Sequence, residues 1–248
     1  MSEIDNKQVE EFFSNAATMH QNENAVLDVA MGQEHSNVYR NYFTADYILK
    51  NIAPQKNQTI LDFGCGVGRV TCLLTDKVKE VIGVDSNRLM IETAIKKFTT
   101  GANVRYELLA DLKIPFKKNH FDTAFSHWVF QHINDDEAIL WLQQIAGVLK
   151  PAGKIYLFEQ IKNESVVTTK HLFRSPKHYL SLIEKAGLIT VSAFPVMRVP
   201  ARGMSIWNKM PGWKFLLPLL SKIDRLTLSR KPHMANYFTY CFVLSKQQ

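Results

Sequence analysis

The chain has 248 residues, 46% hydrophobic and 21% charged, a globular balance that excludes collagenous, disulfide-scaffold and wholly disordered classes and leaves one large domain with room for an appendage. Its three cysteines, Cys65, Cys72 and Cys241, cannot all pair and form no CxxC, so they read as reduced thiols rather than staples or zinc ligands, and no metal site is expected. The net charge of +7 is uneven: residues 1–195 hold 21 Lys+Arg against 22 Asp+Glu, residues 196–248 hold 9 against 1, and this asymmetry predicts an anionic partner at the C-terminal fifth.

The N-terminal stretch MSEIDNKQVEEFF has acids where an export signal needs cations, and no apolar run is long enough for a bilayer, so the expected location is cytoplasmic, with any membrane contact peripheral. Helical patterns at 5–18 and 38–52 make residues 1–55 an N-terminal cap, placed over the sheet's edge. Short β-branched runs then alternate with amphipathic stretches, the signature of a doubly wound α/β fold. Strands are predicted at 59–63, 81–84, 103–108, 123–127, 154–159, 189–196 and 237–244, and helices at 67–78, 88–98, 135–149 and 176–186. The last helix has Ser175 as N-cap, Pro176 at its first position and Gly187 at its stop. Residues 56–196 form the predicted core and 235–248 the closing strand. Between them, 197–234 is too long for an ordinary connection. Within it Leu219, Leu220, Ile223 and Leu226 share a helical face with Lys222 and Arg225 to one side, a basic amphipathic helix.

The most informative segment is Ile60-Leu61-Asp62-Phe63-Gly64-Cys65-Gly66-Val67-Gly68-Arg69, an apolar strand ending in an acid and running into a glycine loop. Its spacing is GxGxG, whereas a dinucleotide site uses GxGxxG. Asp62 at the strand tip would repel a pyrophosphate and suits an ammonium. The next strand, Val81-Ile82-Gly83-Val84-Asp85, also ends in an acid, where a carboxylate can accept both hydroxyls of a ribose. The pair asks for a ligand with a ribose and a cationic amine.

In these motifs the sequence resembles the class I S-adenosylmethionine-dependent methyltransferases, over residues 38 to 195 and the final strand. The resemblance implies a Rossmann-like seven-stranded sheet, mainly parallel with an antiparallel last strand, and S-adenosylmethionine as cofactor with S-adenosylhomocysteine as product. It places Asp62 near the methionine amine, Gly64, Cys65, Gly66 and Gly68 against the cofactor, and Asp85 with Ser86 at the ribose. It likewise places Asp111 and Leu112 at the adenine, Ser126 at the end of the fourth strand, and Arg40 at the methionine carboxylate. Only Gly153 occupies the turn before the fifth strand, since Ala152 stands where many relatives have a second glycine.

The sulfonium of such a cofactor is already activated, so the protein chiefly aligns the acceptor. A hydroxyl acceptor gains from a base near neutral pH, and His127 and His132, beside the fourth strand, are the candidate catalytic residues, with Glu159 a third group that could instead anchor a loop. The expected acceptor is a small molecule, glycan or lipid precursor, methylated on oxygen, with the basic insertion available to an anionic membrane surface. A nucleic-acid (RNA) methyltransferase and a catalytically silent cofactor-binding partner protein are the alternatives. Nucleic acid is disfavoured because the insertion is leucine-rich and short of stacking aromatics.

Overall fold

The computed structural model describes residues 3–19, 34–110, 113–198, 213–228 and 238–247. Its centre is a seven-stranded sheet in the order β3-β2-β1-β4-β5-β9-β8, built from β1 (Thr59–Phe63), β2 (Glu80–Asp85), β3 (Val104–Leu108), β4 (Phe121–His127), β5 (Leu149–Ile161), β8 (Leu188–Arg198) and β9 (Phe238–Lys246). Strands β1 to β5 run parallel, while β9 pairs antiparallel with both β5 and β8. This is the expected doubly wound, Rossmann-like architecture with an antiparallel closing strand. Every residue of β1 is buried because helices cover both sheet faces, which is why the central strands read as continuous apolar runs rather than alternating ones.

Five long helices flank the sheet: α2 (Glu34–Ile52), α3 (Arg88–Phe98), α4 (Asp135–Val148), α5 (Pro176–Lys185) and α6 (Leu217–Leu228), and a further helix, α1 (Asn6–Met19), precedes them. On α2 the residues Tyr39, Phe43, Tyr47, Ile48 and Ile52 are buried, spaced to form one helical stripe against the sheet. Their cluster includes Ile60, Val81, Phe125 and Phe158, while Leu61, Ile82, Ala124 and Leu157 face the opposite layer with α4 and α5. Asn87 caps α3 by accepting a hydrogen bond from Met90 N at 3.1 Å. Ser175 caps α5 by accepting one from His178 N at 3.2 Å, and Gly187 ends that helix at φ 75°, a left-handed turn that glycine adopts without a Cβ penalty.

Two local expectations are corrected, and one small element was not foreseen. The segment predicted as a helix over 67–78 is a turn followed by a 3₁₀ segment, Thr71–Lys77. Its hydroxyls are engaged elsewhere, Thr71 Oγ1 donating to Asp62 Oδ2 at 2.7 Å and Thr75 Oγ1 to Cys72 O at 3.0 Å, competition that disfavours a regular helix. A small hairpin, β6 (Val166–Val167) and β7 (Leu172–Phe173), has strands too short for a periodicity to register. Finally, α1 packs on α3 and closes over the carboxyl ends of the strands instead of the sheet's edge. It is strapped there at both ends. Ile4 N donates to Asn134 Oδ1 at 2.9 Å, Asn134 Nδ2 returns a bond to Ile4 O, and Asn87 Nδ2 donates to Ser14 Oγ at 2.9 Å.

Candidate active site

In an open parallel sheet the strand order reverses where two loops diverge, leaving a crevice at the carboxyl ends. Here that point lies between β1 and β4, and a cavity of about 470 Å³ opens there. Its wall brings together Asp62, Gly64, Cys65, Gly66, Asp85, Ser86, His127 and His132. Gly68 packs behind the loop against Tyr106, and Ser126 is fully buried below the floor, bonded to Glu159. Arg40 is half-buried on α2 and is not part of the cavity wall; Arg69 is. Asp111 and Leu112, like Trp207 and the cations Arg230 and Lys231 of the insertion, lie outside the described residues.

The glycine loop is set by backbone conformation. Gly64 and Gly68 have φ of 73° and 84°, a region costly for side-chain-bearing residues, and a Cβ on Gly64 would collide with Val129. The loop thus lies close against β4's exit, anchored by the Gly64 and Cys65 N–H groups donating to Val84 O at 2.8 and 3.0 Å. Gly66 N donates to Asp85 Oδ2 at 2.9 Å and Asn87 N to Asp85 Oδ1 at 2.8 Å. Each carboxylate oxygen therefore holds one backbone donor and keeps acceptor capacity. Asp62, at 1% exposure, is pushed up to about 7 by burial, against the pull of its Thr71 hydrogen bond and with added repulsion from Asp85. A cation placed beside it would restore its charge.

The chain leaving β4 forms the remaining wall. Trp128 has φ 60°, a strained value for a bulky residue. It is held by its own N–H donating to Phe158 O at 2.8 Å, by its indole N–H donating to Thr239 Oγ1 at 3.1 Å, and by stacking on His127 with centroids 4.5 Å apart. Below it, Glu159 Oε1 accepts from Val129 N at 3.1 Å, Phe130 N at 3.2 Å and Ser126 Oγ at 3.2 Å. On the far side the fully buried Arg174 donates to Phe130 O, to Ile133 O at 2.7 Å and to Asp135 Oδ1 at 2.8 Å. A buried carboxyl group and a buried guanidinium thus grip the same loop from two sides.

Both histidines are held neutral. Burial pushes His127 well below the ordinary histidine range, and its Nε2 shares a hydrogen bond with the Tyr47 hydroxyl. His132 is lowered to about 3 by burial, with further lowering from His171. Its Nδ1 sits 2.9 Å from Lys170 O; a carbonyl only accepts, so Nδ1 carries the proton. Nε2 is then the acceptor, approached by Gln131 Nε2 at 3.2 Å, and Phe13 of α1 packs edge-on against the ring. Glu159 is raised to about 7 by burial, countered by the Phe130 and Val129 amides.

This last shift has a measurable sign. A carboxyl whose folded pKa exceeds its unfolded value stabilises the fold below the unfolded value, and that contribution is lost as pH rises through the folded one. Glu159→Gln keeps an oxygen for the amides and cannot ionise. Its melting temperature relative to the parent should therefore climb from about pH 4.5 and level off once pH passes about 7. A difference independent of pH in thermal denaturation would exclude an ionising Glu159.

Residues 60–153 match the family profile of a methyltransferase domain. This central stretch is a methyltransferase domain, and its sheet is that of the class I S-adenosylmethionine-dependent fold. Phosphoethanolamine N-methyltransferase 3 of Arabidopsis thaliana is 30% identical over 149 residues, 56% of this chain and 29% of that protein. An uncharacterized methyltransferase of Geobacillus kaustophilus is 33% identical over 119 residues, 47% of this chain and 54% of the other. The chain thus spans no more than about half the length of these two relatives. Among solved structures, a SAM-dependent methyltransferase of Leishmania major superposes with a TM-score of 0.68 at 18% identity, covering 97% of this chain and 82% of the other.

The cavity of this methyltransferase domain fits S-adenosylmethionine in the chemistry of its donors. Asp85 has carboxylate capacity left for a diol, Asp62 gains from a neighbouring ammonium, and Gly64 and Gly66 line the cavity without side chains. Sequence reading missed four contributors. Arg69 was legible as the cation ending the glycine motif. Asn87, which caps α3 beside Asp85, carries an ordinary cap signal. The α1 face (Asn6, Val9, Glu10, Phe13) and Gln131 with Glu137 reach the cavity only through tertiary packing.

Proposed function

We propose that this chain transfers a methyl group from S-adenosylmethionine to the nitrogen of a small amine-bearing acceptor. The observation that carries the reading is the setting of the two histidines in the cavity, where His127 Nε2 is tied to the Tyr47 hydroxyl and His132 is fixed between Lys170 O and Gln131. His127 and His132 are held neutral, and His132 at about 3 is too weak a base to take a proton from an alcohol at neutral pH. This shifts the acceptor from oxygen, the sequence-based expectation, to an amine that arrives neutral and needs no deprotonation before attack. The N-methyltransferase named among the relatives supports the same choice.

When bound, the cofactor supplies a methyl carbon already activated by its sulfonium. Asp85 would hold the ribose hydroxyls, Asp62 the amine of the methionine portion, and Arg69 its carboxylate as a charge-assisted partner. His132 works as an acceptor of fixed orientation. Lys170 O fixes its tautomer, and a substrate N–H that displaces Gln131 Nε2 from the Nε2 lone pair would turn the nitrogen lone pair toward the methyl. α1 lines one side of the cavity, and Phe13 packs edge-on against the His132 ring. Alignment at close contact is the main catalytic contribution asked of the protein.

The test separates binding from chemistry. Calorimetry should give binding of S-adenosylmethionine and S-adenosylhomocysteine and none of NAD. Labelled methyl groups should then pass to small amines such as phosphoethanolamine, and not to matched alcohols or to short RNA. His132→Ala should lower kcat about 10- to 100-fold while cofactor affinity stays within twofold, since the lost contact belongs to the acceptor. Labelling of alcohols or RNA in preference to amines would overturn the reading.

A further inference from the structure

Helix α6 turns part of its apolar surface outward. Phe215, just before it, is 74% exposed, and Leu219, Ile223 and Leu226 are 53%, 47% and 69% exposed. Within α6 these residues follow the i, i+4, i+7 spacing of one helical face. The opposite face is already used: Leu217 and Ser221 are buried, Leu220 packs against the α2 cluster, and Ser221 Oγ donates to Asp46 Oδ2 on α2 at 3.1 Å. The sequence grouped Leu219, Leu220, Ile223 and Leu226 on one face; the structure divides them, with Leu220 turned inward. Contiguous exposed apolar surface of this kind marks an interaction site.

What covers it is indicated by charge. Lys214 and Lys222 are exposed beside the stripe, and in the sequence Arg225, Arg230 and Lys231 follow with Asp224 the single acid of residues 196–248. An apolar helical face rimmed by cations lies in a headgroup layer, the side chains entering the acyl boundary and the cations meeting anionic lipid. Among the described residues no helix is long and apolar enough to cross a membrane, so the contact is with the surface. We infer that the α6 face is a docking surface for an anionic phospholipid bilayer. Helix α2, on which α6 rests, carries Tyr47 to His127 and Asn41 to Arg69, so docking sets the bilayer one helix away from the cavity.

Vesicle binding needs no turnover, so this inference stands or falls apart from the proposed reaction. The intact chain is sedimented with vesicles of phosphatidylcholine alone and of phosphatidylcholine and phosphatidylglycerol in equal parts. Binding is expected to the second and not the first, and to weaken with added salt. Lys214→Gln or Lys222→Gln should each lower partitioning about fivefold. Leu219→Gln with Ile223→Gln should abolish it, and because these positions are exposed, circular dichroism and cofactor affinity should match the parent. A parent chain that stays in the supernatant with anionic vesicles would refute the inference. So would variants that bind as the parent does. A lipid-free dimer in sedimentation velocity that dissociates in the double leucine–isoleucine variant would reassign the face to a second copy of the chain.

Discussion

Arg174→Ala is expected to destabilise the fold by about 3–5 kcal/mol, the scale for stripping one partner from a buried charged network. The guanidinium is fully buried and supplies donors to Phe130 O, Ile133 O and Asp135. Without it two carbonyls of the loop leaving β4 lose a strong donor, at about 1–3 kcal/mol each when buried. Asp135 suffers less, because its side chain is 40% exposed and water can replace the contact. For a domain of this size roughly 2–4 °C accompanies each kcal/mol, so a melting temperature lowered by about 6–20 °C is the expected result. The same loop carries Trp128 at positive φ and the cavity residues Val129, Gln131 and His132, so kcat should fall further than cofactor affinity. Arg174→Lys retains the charge but not the forked donors and should recover only part of the stability. A melting shift under about 2 °C for the alanine variant would mean that the guanidinium does not hold the loop.

How far the sequence exposed this structure depends on whether a feature is local. The strands β1, β2 and β4 were legible because burial on both faces demands uninterrupted apolar residues. The Ser175–Pro176 start and Gly187 stop of α5 were legible because caps are written in a few adjacent residues. The acid tips Asp62 and Asp85 and the glycines between them likewise lie within one βαβ unit, and the structure sets them around a single cavity. Features made by distant segments were not legible. Phe13 and His132 meet through the docking of α1, and Arg174 reaches the loop from β7's end. Sequence reading chose Arg40 as the carboxylate partner and passed over Arg69, since nothing in a helix pattern says which cation turns toward a crevice on the other side of a loop. The histidines show a related limit. Their residue type suggested base catalysis, whereas their half-buried setting beside Arg69 or His171 lowers their affinity for a proton.

Asp85→Ala is expected to weaken S-adenosylmethionine and S-adenosylhomocysteine alike by about 1.5–3 kcal/mol, roughly 10- to 150-fold in Kd, the range for hydrogen bonds to a charged group. The loss has two sources. One is the pair of carboxylate oxygens facing the cavity; the other is the loop itself, because Gly66 N and Asn87 N would each be left without their acceptor. Asparagine does not restore the site, since its amide nitrogen must then face one of those two N–H donors. Asp122 provides the contrast. It stands at the opposite end of β4, accepting from Thr59 N at 2.8 Å and paired with Lys150 at 2.6 Å. Asp122→Ala should therefore lower thermal stability modestly and leave cofactor affinity unchanged. Calorimetric titration of the three proteins decides between assignments. If Asp85→Ala binds both ligands as tightly as the parent, the ribose lies elsewhere and the cavity between β1 and β4 is not the cofactor site. If Asp122→Ala weakens them as much as Asp85→Ala does, the effect travels through the stability of the sheet, and Asp85 holds no special contact.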